Sequence, residues 1–80
     1  MKVREAVVQR LREILDDRNI TLYQLQKNSG VPQGTFLTIF YGDRKGINLT
    51  TLLILIQSLN ITPKEFFDSK LFNEGNLDID

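Results

Sequence analysis

Two side chains on which much covalent and acid–base chemistry depends are missing from this sequence. The 80 residues include no cysteine and no histidine, which removes a thiol nucleophile, an imidazole base, a Cys/His zinc site and a disulfide framework. The ten carboxylates are scattered, and no motif builds a pocket around them, so neither an enzyme nor a cofactor or metal is expected. What remains is hydrogen bonding and charge. Gln33, Gly34, Thr35, Leu37 and Thr38 lie in an uncharged stretch from Gln33 to Tyr41, and Arg44, Lys45 and Asn48 follow it closely.

These residues must be carried by one small domain, because 80 residues leave no room for a second core. An apolar content of 41% rules out disorder of the whole chain. The longest wholly apolar run, Leu52 to Ile56, is far short of a membrane span, and the N-terminus lacks a secretory apolar region. A cytoplasmic protein without membrane attachment is therefore expected. The formal net charge of +0 hides an asymmetry. Residues 1–64 hold nine Lys/Arg against five acids, whereas residues 65–80 hold Lys70 against Glu65, Asp68, Glu74, Asp78 and Asp80. A basic domain is followed by an acidic tail, and the whole-chain balance neither supports nor excludes a polyanionic ligand.

Hydrophobic spacing predicts five short helices and no strands. Val3, Val7, Leu11, Ile14 and Leu15 recur at three- and four-residue steps, giving an amphipathic helix from about Val3 to Arg18, stopped by Asn19. Thr21 and Gln24 form a capping-box pattern that starts a second helix at Leu22, and Asn28, Ser29 and Gly30 break it. The third, Gln33 to Tyr41, buries Phe36 and Ile39 and turns Gln33, Gly34, Leu37 and Thr38 outward, with Leu37 and Phe40 open between the core and an interface. Asn48 is a good N-cap for a fourth helix, Leu49 to Leu59. Thr62, Pro63 and Glu65 give the most complete helix start in the chain, opening a fifth. The domain is expected to occupy residues 1–72, and the acidic tail, 73–80, to fray.

At Leu22 to Tyr41 two short helices meet across a tight glycine turn, with apolar residues at Leu25, Val31, Phe36 and Ile39. That is a helix-turn-helix arrangement. Further matches are Ile20-Thr21-Leu22-Tyr23-Gln24-Leu25, Ser29-Gly30-Val31-Pro32-Gln33-Gly34-Thr35-Phe36, Tyr41-Gly42, and Leu59-Asn60-Ile61-Thr62-Pro63-Lys64-Glu65-Phe66-Phe67. In this order and spacing they make the chain resemble the phage-repressor, Cro-like (xenobiotic-response-element) helix-turn-helix family from about Val7 through Phe67.

The resemblance implies an all-α, compact five-helix domain of the lambda-repressor type. It also implies a small transcriptional regulator, most often a repressor, that binds double-stranded DNA as a dimer with its third helix in the major groove. Nine residues at about 1.5 Å rise give a helix near 13 Å long, which a groove about 12 Å wide admits. By position in the motif, Gln33, Gly34 and Thr38 are similar to base-reading residues, and Tyr41, Lys45 and Asn48 to phosphate-binding ones, with Arg44 in the same loop. Gln33 has its own chemical case, since an amide can bond adenine N6 and N7 together. Leu37, if outward, suits a thymine methyl, and the helix has no Arg for a bidentate guanine contact, so an A·T-rich operator of two-fold related half-sites is expected. Thr35 is open between a local hydrogen bond and a phosphate contact. Tyr23 and Tyr41 are open between core edge and phosphate donor.

Three features depart from the family pattern. Leu22 stands where the family often has a phosphate-binding Gln, and Gln26 where a small residue lets the motif helices pack. Ile54 and Ile56 leave the fourth helix apolar all round, and such a helix must be covered. Either Leu71 and Phe72 fold back over it, or a second copy covers Ile54, Ile56, Leu71 and Phe72 in a homodimer. The same surface apolarity supports an alternative: a protein-interaction module on this fold, such as an antitoxin or a phage-derived antagonist, with a protein partner in place of DNA.

Overall fold

A computed structural model describes residues 1–42 and 46–78. Its helices start and stop where local chemistry dictates. Helix α1, Val3–Arg18, is entered with the Glu5 carboxylate accepting the Lys2 N–H at 2.9 Å, and it ends at Asn19 in the left-handed region, φ 56°. Helix α2, Leu22–Ser29, opens on the expected capping box. The Thr21 hydroxyl accepts the Gln24 N–H at 3.1 Å, and the Gln24 amide oxygen accepts the Thr21 N–H at 2.9 Å. Helix α3 is Gln33–Tyr41 and α4 is Leu49–Ser58, the latter capped by Asn48 and ending one residue earlier than the spacing indicated. Thr62 and Glu65 cap α5, Pro63–Phe67, with the proline in its first turn.

Each helix contributes to one core. Val7, Leu11, Ile14 and Leu15 of α1 meet Leu25, Val31, Phe36, Ile39 and Phe40 of the motif and Leu52, Leu55, Ile56, Leu59 and Phe66 behind it. α2 packs on α4, and α1 packs on α3. Phe40, left open by the sequence, belongs to this core, its ring 4.8 Å from that of Phe36.

Three arginines of α1 tie the other helices to it. Arg4 Nη1 donates to Ile39 O at 2.6 Å, in the last turn of α3. Arg10 donates from Nε to Phe66 O at 2.8 Å and from Nη2 to Glu65 O at 2.9 Å, at the end of α5. Arg18 Nη1 donates to Leu59 O, the C-cap of α4. Helix C-termini leave carbonyls without intrahelical partners and carry partial negative charge, so a guanidinium satisfies both needs at once.

Two expectations require correction. Ile56 is 0% exposed. It is filled in by this chain's own core, so it has no surface to give a dimer interface. The stretch 73–78, expected to fray, is instead paired with the N-terminus: Asp78 N–H donates to Met1 O at 2.8 Å, and the Met1 amino group donates to Asn76 O at 3.0 Å. Two 3₁₀ turns, Lys70–Phe72 and Glu74–Asn76, lead the chain there. The first packs on α1, with the Phe72 ring 5.8 Å from Phe66 and 4.9 Å from Phe67. Phe72 therefore closes the base of the domain and is half-buried there, as is Leu71, whereas Ile54 keeps 38% of its surface exposed.

Candidate nucleic-acid interface

The turn between α2 and α3 is built from polar side chains bonded to backbone. Gly30 takes φ +72°, a region it enters without Cβ strain. Ser29 Oγ donates to Gln26 O at 3.0 Å and accepts the Val31 N–H at 3.2 Å. Gln26, the residue that stands where a small one was expected, leans into this turn and donates from Nε2 to Val31 O at 2.7 Å. It braces the motif from outside, so the two helices need not splay to make room for it.

α3 is open at its start and held at its end. Its start has no side-chain cap, because Pro32 occupies the N-cap, and the first N–H groups are left for solvent or an anion. Its end is held by the Arg4 bond and by Gly42, where an added Cβ would overlap the Thr38 carbonyl oxygen. Between these ends Gln33, Gly34 and Thr35 are exposed, Leu37 is 44% exposed, and Phe36, Ile39 and Phe40 face the core. Thr38 is half-buried, and its hydroxyl donates to Gly34 O at 2.9 Å. With that proton committed, Thr38 faces a ligand as an acceptor and a methyl group.

The flanks of α3 are clefts. On one side Leu37, Gln33 and Phe36 line a shallow apolar cleft with Leu22, Tyr23, Gln26 and Tyr41. Tyr23 and Tyr41 are 65% and 67% exposed, so they are surface groups and not core edges. On the other side Gly34, Thr35, Thr38 and Ile39 face Gly46, Ile47, Asn48 and Thr51 across a cleft of about 400 Å³. Asn48 Oδ1 accepts the Thr51 N–H at 3.1 Å, which leaves the amide's N–H donors directed elsewhere. The structure thus brings Gln33, Gly34, Thr35, Leu37, Thr38, Tyr23, Tyr41 and Asn48 onto the two walls of α3. Arg44 and Lys45 lie outside the described residues.

A family model of the Cro/C1-type HTH DNA-binding domain matches residues 10–70. The chain belongs to the Cro/C1-type helix-turn-helix family. No curated protein and no solved structure matches it.

A Cro/C1-type domain is a binder of double-stranded DNA that serves transcription regulation. In this Cro/C1-type chain the charge is distributed less simply than the sequence indicates. Arg4, Arg10 and Arg18 are spent on carbonyls, and Arg10 also lies 3.7 Å from Glu13. Lys27 Nζ sits 5.4 Å from the centre of the Tyr23 ring. Arg12, which the sequence pattern places only on the solvated face of α1, lies over the rings of Phe40 and Tyr41 at 5.4 and 5.7 Å. No spacing rule connects residues 12 and 41, and only the fold brings them together. Among the described residues no helix is long and apolar enough to cross a membrane.

Proposed function

We propose that this protein is a sequence-specific, double-stranded DNA-binding regulator acting as a repressor in the cytoplasm, with α3 as its reading helix. The observation that carries this reading is the uncharged, exposed face Gln33-Gly34-Leu37 on a helix that is anchored in the core by Phe36, Ile39 and Phe40 and held at its last turn by Arg4. A surface that must match base edges within a few tenths of an ångström needs rigid presentation. Gln33, exposed in the first turn, is the bidentate adenine reader. Gly34 admits close approach to the groove floor, Leu37 meets thymine methyls, and Thr38 accepts from an exocyclic amine. Thr35, Tyr23, Tyr41 and Asn48 donate to phosphates, joined by the cations Arg44 and Lys45.

The reading includes a homodimer on two-fold related half-sites, formed through Ile54 with Leu71 and the edge of Phe72. Ile54 is an exposed apolar residue in the middle of a helix whose Leu52, Leu53, Leu55 and Ile56 are wholly or partly covered; Leu49, also exposed, stands at the helix start. Selection from random duplexes tests the whole proposal. Two A·T-rich half-sites related by a dyad are the expected result, and G·C at the contacted steps would overturn the base-reading assignment.

A second reading is favoured by one observation: Tyr23, Leu37 and Tyr41 form an exposed apolar wall beside Gln33. A protein partner covering that wall would make the chain an interaction module. In that case Leu37→Ala abolishes partner binding while Gln33→Ala leaves it intact.

A further inference from the structure

We propose that Arg12, on α1, is a DNA-phosphate contact, and that it occupies the role at the start of α2 that the aliphatic side chain of Leu22 cannot fill. The proposal rests on the DNA-binding reading above.

α1 carries four arginines, and three of them are committed to carbonyls of other helices. Arg12 is different. It is exposed, and among the described residues it donates no hydrogen bond and forms no ion pair. Its guanidinium is nevertheless placed, lying over the Phe40 and Tyr41 rings at 5.4 and 5.7 Å from their centres. An aromatic face attracts the cation through the plane of the guanidinium and leaves its N–H edge free. The group is therefore oriented while its donors remain open, which suits the bidentate geometry of a phosphate.

Position is the second argument. Arg12 lines one cleft with Thr21 and Leu22, at the first turn of α2. Tyr41, beneath the guanidinium, lines the next cleft with Leu22, Gln33 and Leu37. Arg12 thus stands on the rim that joins the start of α2 to the reading face of α3. At that rim the Leu22 side chain has no donor, and the Thr21 hydroxyl accepts the Gln24 N–H as the cap of α2. The Arg12 guanidinium is therefore the cation that lines this cleft, beside the neutral hydroxyls of Thr21 and, in the next cleft, Tyr41. Asp16 shares the same cleft without pairing with Arg12, so its carboxylate opposes a bound anion and provides an independent test.

The experiment measures binding of the full chain to a random-sequence duplex and to a selected operator over a range of salt concentrations, with thermal unfolding as a control. Arg12→Gln is expected to weaken both complexes by a similar factor, and to make the slope of log K against log salt shallower by about 1, the value of one lost phosphate contact. Arg12→Lys should retain the slope. Asp16→Asn should tighten both complexes. An unchanged slope in Arg12→Gln overturns the proposal, as does unchanged affinity in Asp16→Asn. Lack of any salt-dependent DNA binding by the unaltered protein would instead remove the DNA-binding reading itself, and this inference with it.

Discussion

Arg4 Nη1 donates to the carbonyl oxygen of Ile39 at 2.6 Å, so the first turn of α1 fastens the last turn of α3 across 35 residues of sequence. The bond is partly buried and charge-assisted, a kind that contributes about 1.5 to 3 kcal/mol. Arg4→Met retains much of the aliphatic stem but removes the donor. We expect it to lower unfolding free energy by about 1 to 2 kcal/mol in urea titrations. Faster amide exchange in the last turn of α3 than in α2 would show that the loss is local to the reading helix. Uniform exchange throughout would count against this role for Arg4.

Two glycines, Gly34 in α3 and Gly42 at its C-cap, should respond in opposite ways. At Gly42 an added Cβ overlaps Thr38 O, a backbone atom that cannot move without distorting α3. Gly42→Ala should therefore cost well over 1 kcal/mol of stability, in the range of overpacking changes. Nothing lies within 4 Å of a Cβ added at Gly34. Gly34→Ala should stabilise the free domain by roughly 0.4 to 1 kcal/mol, through the reduced freedom of its unfolded chain. If Gly34 approaches the groove floor, the same change weakens operator binding. Thermal unfolding and DNA titration on one preparation separate the two effects.

The sequence shows where helices begin because capping is local. Thr21 with Gln24, Asn48 with Thr51, and Thr62 with Glu65 are all three apart, and each is found as a cap. The core positions Phe36 and Ile39 were likewise legible from their one-turn spacing. What was not legible is what crosses the fold. Arg4, Arg10 and Arg18 read as solvated charge on an amphipathic helix, yet their partners lie 35 to 56 residues away and are backbone carbonyls, which carry no sequence signature. Ile56 fails for a related reason. An apolar-all-round helix says that covering is needed, but not whether it comes from the same chain. Gln26 was legible as an anomaly, and only the turn geometry shows what it bonds.

The paired termini make a third expectation. Asp78 N–H donates to Met1 O, the Met1 amino group to Asn76 O, and Asn76 Nδ2 to Leu71 O at 2.8 Å. Ending the chain at Phe72 removes all three. The loss should be about 1 kcal/mol in total, since the Met1 bond is solvent-exposed and the Asn76 side-chain bond is only part-buried. Amide exchange supplies a direct check: the Asp78 N–H should be slower than that of Asn73 or Gly75.

Quaternary structure turns on Ile54. Because it is 38% exposed and its neighbours Leu55 and Ile56 form the core, Ile54→Lys should leave the monomer folded while introducing unpaired charge into any shared face. Sedimentation at high micromolar concentration is expected to show a dimer for the unaltered chain and a monomer for this variant. A monomer in both cases contradicts the proposed interface.

The most direct test of α3 as a reading helix compares Gln33→Ala with the unaltered protein on a selected operator and on random DNA. Gln33 is exposed, so melting temperature should not move. Operator affinity should fall by about 1 to 3 kcal/mol, roughly 5- to 150-fold, while affinity for random DNA stays the same. An operator preference that survives the substitution undiminished would contradict the account.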